Sequence, residues 1–179
     1  SDLLLKQKNN PGCNLIILDA NLELHTIYNE IQDIFAFYQE WDDELQDSLI
    51  RAKGIQHITD ISFKVFENPM YVIDPSFRTL SYTKEVSCDA IDALWKSIVV
   101  EGHTDIATVN AMKENNALSW LNSCWEPIIN TSPIFSSPRI NANIMKGPEK
   151  IGTLIIIEAF TKLEKAHLHM AKHLVNVIF

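Results

Sequence analysis

The amino-acid sequence predicts an α+β fold: a five-stranded antiparallel sheet with helices on its faces, preceded by a long amphipathic helix. Three observations lead there. Residues 22–53 carry apolar side chains alternately three and four positions apart. Residues 68–83, NPMYVIDPSFRTLSYT, read as two short strands around an Asp-Pro-Ser-Phe turn. Three further strand candidates lie after residue 124 and a helix closes the chain, without the alternating strand and helix series that a parallel sheet requires.

Each element has a local cause. Residues 1–13 are polar, contain Asn9-Asn10-Pro11-Gly12 and read as a linker or the end of a preceding domain. Asn14 to Leu18 is a brief apolar run. From Leu22 to Lys53, Leu24, Ile27, Ile31, Ile34, Tyr38, Trp41 and Leu45 form a heptad seam. That seam fits two arrangements, a parallel homodimeric coiled coil or packing against the chain's own sheet, and a helix shared between the two. Tyr28, Phe35, Phe37 and Leu49 widen the stripe beyond a two-stranded seam. Gly54 breaks the helix, and Ile55, Ile58, Ile61, Val65 and Phe66 resume a helical stripe up to Asn68-Pro69, where the proline disfavours helical geometry at the residue before it. Asp74 and Pro75 then suit the first two positions of a type I turn between strands Met70–Asp74 and Arg78–Tyr82.

Helical spacing returns over Asp89–Glu101, ended by Gly102, and Thr104-Asp105 offers a cap for a helix bearing Ile106, Val109 and Met112. A short piece over Ala117–Ser123 follows. Trp125–Asn130 contains Pro127, which suits an edge strand. Arg139–Lys146 alternates, with Ile140, Ala142 and Ile144 on one side and Arg139, Asn141 and Asn143 on the other. Gly147-Pro148 turns into Lys150–Phe160, whose run Leu154–Ile157 suits a central strand buried on both faces. Thr161–Phe179 is helical. These elements divide the chain into a linker at 1–13, a helical signalling and dimerisation segment at 14–67 and an α+β domain at 68–179, with the helical insert of residues 89–123 on one sheet face and the flanking helices on the other.

Composition excludes several classes of function. At 179 residues and 46% hydrophobic content the chain buries a real core. Ten acidic residues between Asp19 and Asp60 face only Arg51 and Lys53, which accounts for the whole net charge of −8. So acidic a chain is expected to repel nucleic acid, whose affinity rests on phosphate neutralisation. Cys13, Cys88 and Cys124 form no CxxC, which suggests neither a disulfide framework nor a thiolate zinc site. No apolar run reaches membrane-spanning length, and a cytoplasmic protein is expected. No GxSxG elbow, P-loop or GxGxxG is present, so the chain is not expected to be an enzyme.

The succession IYNEIQDIFAFYQEWDDELQDSLIRAKGIQHITDI, NPMYVIDPSFRTLSYT and SSPRINANIMKGPEKIGTLIIIEAF resembles the region upstream of the DNA-binding domain in bacterial PucR/CdaR-type transcriptional regulators. The likeness covers nearly the whole chain from Asn14. It implies a PAS/GAF-like sensory domain with a signalling helix, a small-molecule effector and a homodimer. DNA contact would come only through a helix-turn-helix domain expected after Phe179 and absent here. A ligand-free PAS/GAF dimerisation module and a small-molecule enzyme are the alternatives.

A sensor of this architecture would hold a small molecule between the inner sheet face and the insert. Tyr82, Trp95, His103, Trp120, Trp125, Arg139 and Asn141 are the candidate ligand contacts. Arg139 leads among the polar ones, since a planar guanidinium pairs with carboxylate or phosphate, although an arginine on an alternating strand more often faces solvent. The tryptophans serve a pocket wall or a core equally well. His167, His169 and His173 share a helix, the last two four apart, but no carboxylate of HExxH type joins them, so no metal site is expected. No cofactor is expected.

Overall fold

Period-two alternation and the turn chemistry above build one five-stranded sheet. The computed structural model describes residues 23–178; the linker at 1–13, the run Asn14–Leu18 and Cys13 lie outside the described residues. The strands are β1 (Met70–Ile73), β2 (Thr79–Tyr82), β3 (Ile128–Asn130), β4 (Arg139–Lys146) and β5 (Glu149–Ile157). Their order is β2-β1-β5-β4-β3, and every neighbouring pair is antiparallel. β5 is central and buried from Gly152 to Ile157, as its unbroken apolar run requires. β3 directly follows Pro127 and occupies an edge, where the missing N–H costs no ladder bond. The α+β class, the five antiparallel strands and the long preceding helix are as the sequence predicts.

Helices α1 (Leu24–Ile50) and α2 (Ile55–Phe66) precede the sheet, with Gly54 in the left-handed region at φ 85° between them. α2 ends before the proline acts: Glu67 turns left-handed at φ 48°, and its N–H returns to the Phe63 carbonyl. In the β1–β2 turn, Asp74 Oδ1 accepts from the Ser76 and Arg78 N–H groups at 2.8 and 2.9 Å.

The insert starts later than its apolar spacing suggests. α3 (Ala93–Lys96) begins at Asp92, whose carboxylate accepts from Trp95 N at 2.7 Å, while Asp89 pairs instead with Lys96 Nζ at 2.8 Å. It runs into a wide π-type turn, Ser97–Glu101, closed by Gly102 at φ 75°. α4 (Ile106–Glu114) is capped by Asp105, which accepts from Thr108 N at 2.8 Å. α5 (Ala117–Ser123) follows, and α6 (Lys165–Ile178) closes the chain.

The two sheet faces carry separate cores. On one, Met70, Val72, Ile140, Ala142, Leu154 and Ile156 meet Trp41 and Leu45 of α1, Ile58, Val65 and Phe66 of α2, and Leu174 of α6. On the other, Tyr71, Ile73, Ile155 and Ile157 meet Val86, Leu94, Trp95 and Ile98. Each such aliphatic side chain contributes about 1.5–3 kcal/mol on burial. The chain divides between Tyr38 and Gln39 into two compact units. The second therefore takes in the C-terminal part of α1 and all of α2 together with the sheet.

Asn68 ties the ends of β1 and β5 together. Fully buried, it accepts through Oδ1 from the N–H groups of Ala159, Phe160 and Thr161 at 3.0, 2.9 and 3.2 Å. Its Nδ2 donates to Thr161 O and Oγ1, both at 2.8 Å.

Candidate functional site

The insert does not close flush on the sheet. Between them lies a chamber of about 40 Å³, floored by Tyr71 and Ile73 of β1, Arg139 and Asn141 of β4, and Thr153 and Ile155 of β5. Leu94, Thr104, Thr108, Met112, Leu118 and Leu121 of the insert roof it, and Phe135 adds a wall. A wider cleft of about 330 Å³ shares Ile73, Phe77, Leu118, Asn122, Lys150 and Thr153 with the chamber and adds Asp74 and Pro75 of the β1–β2 turn, so it forms the chamber's mouth.

Side-chain bonds to backbone hold the roof. Asn143 Nδ2 donates to the Leu121 and Cys124 carbonyls, both at 2.8 Å, which fixes the end of α5 over β4. Lys150 Nζ donates to Asn122 Oδ1 at 2.7 Å across the mouth. Burial pushes the Lys150 pKa down, because the ammonium loses water near the cleft.

Arg139 is the chemical centre. Its side chain is 1% exposed, and the guanidinium carbon lies 4.0 Å from the centroid of the Phe135 ring. Its one ion pair is long, Nη2 to Asp92 Oδ2 at 3.5 Å, and that carboxylate also serves Trp95 N and Ser136 Oγ. Among the described residues Nε and Nη1 meet no acceptor. Those atoms carry three of the five N–H bonds, one on Nε and two on Nη1. Asn141 Oδ1, two residues along the strand, is likewise buried without a donor. Burial pushes the Tyr71 phenol pKa up, and the nearby Arg139 guanidinium draws it partly back.

Of the seven candidate contacts, the fold brings only Arg139 and Asn141 to the chamber. The solvent-face expectation for Arg139 does not hold, because the insert covers that side of β4 and leaves the residue buried. Trp95 is fully buried in the core under the insert, its indole N–H donating to the Ser87 carbonyl at 2.9 Å, and Tyr82 packs beside it with ring centroids 6.3 Å apart. His103 is exposed, with Nε2 3.7 Å from Glu101. Trp120 and Trp125 are 51% and 70% exposed, and Trp125 borders a separate cleft beside α6. Tyr71, Thr104, Thr108, Lys150 and Thr153 line the chamber without having been singled out from sequence. The readable signal was parity, since antiparallel register places Tyr71 opposite Ile155 and Ile155 opposite Asn141.

The seam residues of α1 also separate. Trp41 and Leu45 are buried in the chain's own core, Trp41 Nε1 donating to Ser62 Oγ at 3.2 Å, and neither offers surface to a partner. Ile27 is buried and Ile31 half-buried, whereas Leu24, Ile34 and Tyr38 stay exposed, together with Tyr28, Phe35 and Phe37. The three α6 histidines act apart: His167 Nδ1 accepts from Glu164 N, His173 Nε2 lies 2.7 Å from Asp42 Oδ1, and His169 is exposed. Among the described residues no group of three or more His, Cys, Asp or Glu side chains is placed to hold a metal ion. Among them, too, no helix is long and apolar enough to cross a membrane.

No protein-family model matches the chain, and no curated protein matches it. Among solved structures it is similar to the cofactor-binding GAF domain of the nutrient sensor CodY from Clostridium difficile, at 11% identity and a TM-score of 0.47, over 82% of this chain and 95% of that one.

Proposed function

We propose that this chain is the ligand-sensing and dimerisation region of a bacterial transcriptional regulator of the PucR/CdaR type, which passes the binding of a small molecule to a C-terminal helix-turn-helix domain. The observation that carries the sensing role is the chamber under the insert, apolar in its walls and floored by a buried arginine with three unpartnered N–H bonds. A guanidinium buried with so little compensation costs stability, and a bound acceptor would recover it. Among the described residues no histidine, cysteine or carboxylate lines that chamber.

The route outward runs through the opposite sheet face. Strands β4 and β5 present Arg139, Asn141, Thr153 and Ile155 to the chamber, and Ile140, Ala142, Leu154 and Ile156 to the helices. The C-terminal part of α1 and α6 meet there, where Asp42 faces His173 and the rings of Trp41 and His173 pack edge to face at 5.7 Å. A ligand that binds one arrangement of these helices more tightly than another shifts the population between them. The exposed apolar residues of the N-terminal half of α1 supply the dimerisation surface in this reading.

A thermal-shift screen of the purified protein against purines, sugar acids, amino acids and other small metabolites tests the sensing role. Saturation at about 100 times the dissociation constant adds roughly 2.7 kcal/mol. A concentration-dependent rise confined to one chemical class is expected. No rise from any class, with a dimer in solution, would replace the sensor by a ligand-free dimerisation module.

A further inference from the structure

Resting on the sensor reading, we infer that the ligand is a small carboxylic acid that also bears an O–H or N–H donor. Its carboxylate sits on Arg139, its donor on Asn141 Oδ1, and the rest of the molecule points into the mouth. Three observations carry this. The first is charge: among the described residues two cations, Arg139 and Lys150, line the chamber and no carboxylate does, Asp92 meeting Arg139 only through the long pair at 3.5 Å. The second is the pattern of unpartnered groups. Nε and Nη1 of Arg139 require an acceptor, whereas Asn141 Oδ1 requires a donor, so a carboxylate alone cannot satisfy both. The two residues share one face of β4 and lie about 6.8 Å apart along the strand, a span that a single small molecule bridges.

The third observation is size. About 40 Å³ admits a group the size of a carboxylate, and the chamber opens from there into the mouth. The planar group also matches the fork of the guanidinium, whose face is already taken by Phe135 and whose edge is left for the ligand. A body larger than the carboxylate has room in the 330 Å³ mouth, where Lys150 and Thr153 stand.

The test is a titration of the wild-type protein, followed by thermal shift and calorimetry. Glycolate, lactate, glycerate, alanine and serine are compared with acetate and propionate, with the amides lactamide and alaninamide, and with glycerol phosphate. Donor-bearing acids are expected to bind, their amides not, and glycerol phosphate more weakly. Arg139→Met and Arg139→Lys are each expected to lose about thirtyfold or more in affinity. Asn141→Leu is expected to erase the preference of lactate over propionate. Amides binding as well as acids, or affinity unchanged in both Arg139 variants, would overturn the inference. Because the acid and amide comparison uses the unaltered protein, it stands even if a variant fails to fold. Should none of these acids bind while a purine or neutral sugar does, the inference fails and the sensor reading survives. If nothing of any class binds, both fail.

Discussion

Replacing the buried Asn68 by alanine should strongly destabilise the fold where the ends of β1 and β5 meet. Its amide oxygen is the acceptor for three successive N–H groups at 159–161, and its nitrogen serves two acceptors on Thr161. Ala159 and Phe160 are exposed, so water can reach part of what is lost, and each orphaned N–H is taken at the low end, about 1 kcal/mol. Adding the two lost donor bonds and a small void gives about 4 kcal/mol. That is a large share of the 5–15 kcal/mol typical of a domain, and corresponds to a fall of roughly 10 °C in Tm. Asn68→Asp isolates one half of the arrangement. It keeps the three accepted bonds and strengthens them by charge, but sets a carboxylate against the Thr161 carbonyl, so about half the loss is expected. Urea unfolding monitored by fluorescence measures both. An Asn68→Ala variant within about 1 kcal/mol of the parent, at unchanged m-value, would show that these bonds do not hold the ends of β1 and β5 together.

Further outcomes follow from the same structure. Arg139→Met, without ligand, should be as stable as the parent or up to about 3 kcal/mol more stable in urea melts, because an imperfectly paired buried cation is replaced by an apolar chain; a loss beyond about 1 kcal/mol would mean that Asp92 and Phe135 compensate it fully. Ile34→Ser with Tyr38→Ser should leave the fold intact and lower the mass seen by light scattering, while an unchanged mass would remove the N-terminal half of α1 from the dimer. Lys150 has its folded pKa depressed by burial below the unfolded value near 10.5, so the native state binds fewer protons between those two values and stability rises with pH across that window. Lys150→Met should therefore be the more stable protein at pH 7, with its advantage narrowing in melts repeated as pH climbs towards 10.5. An advantage independent of pH would refute the assignment.

Much of the fold was legible because its causes are local. The 3.6-residue spacing of Ile55, Ile58, Ile61 and Val65, the alternation along 139–146 and the Asp74-Pro75 turn each depend on neighbours within a few positions. The unbroken run Leu154–Ile157 needs apolar cover on both sides, which placed β5 at the centre before any pairing was known. The start of α3 was misplaced because apolar spacing marks a buried stripe, whereas Asp92, by accepting from Trp95 N, sets where the helix begins.

The candidate site was legible only in part. Alternation separates Arg139 and Asn141 from Ile140 and Ala142, but does not say whether the polar side meets water or another layer, and here α4 and α5 cover it. Trp95, Trp120 and Trp125 look alike in sequence; distance from the sheet makes the first core and leaves the others exposed. Asn68 read as a helix stop, while its actual partners lie 91 to 93 residues away. Along α1 the same heptad stripe ends in Trp41 and Leu45 under the sheet and leaves Ile34 and Tyr38 exposed. The sequence by itself determined which segments are helix and strand and that each has an apolar side, since those follow from short-range periodicity and backbone sterics. The tertiary structure alone decided which polar side became an interior, because burial is set by what the rest of the chain brings to lie over it.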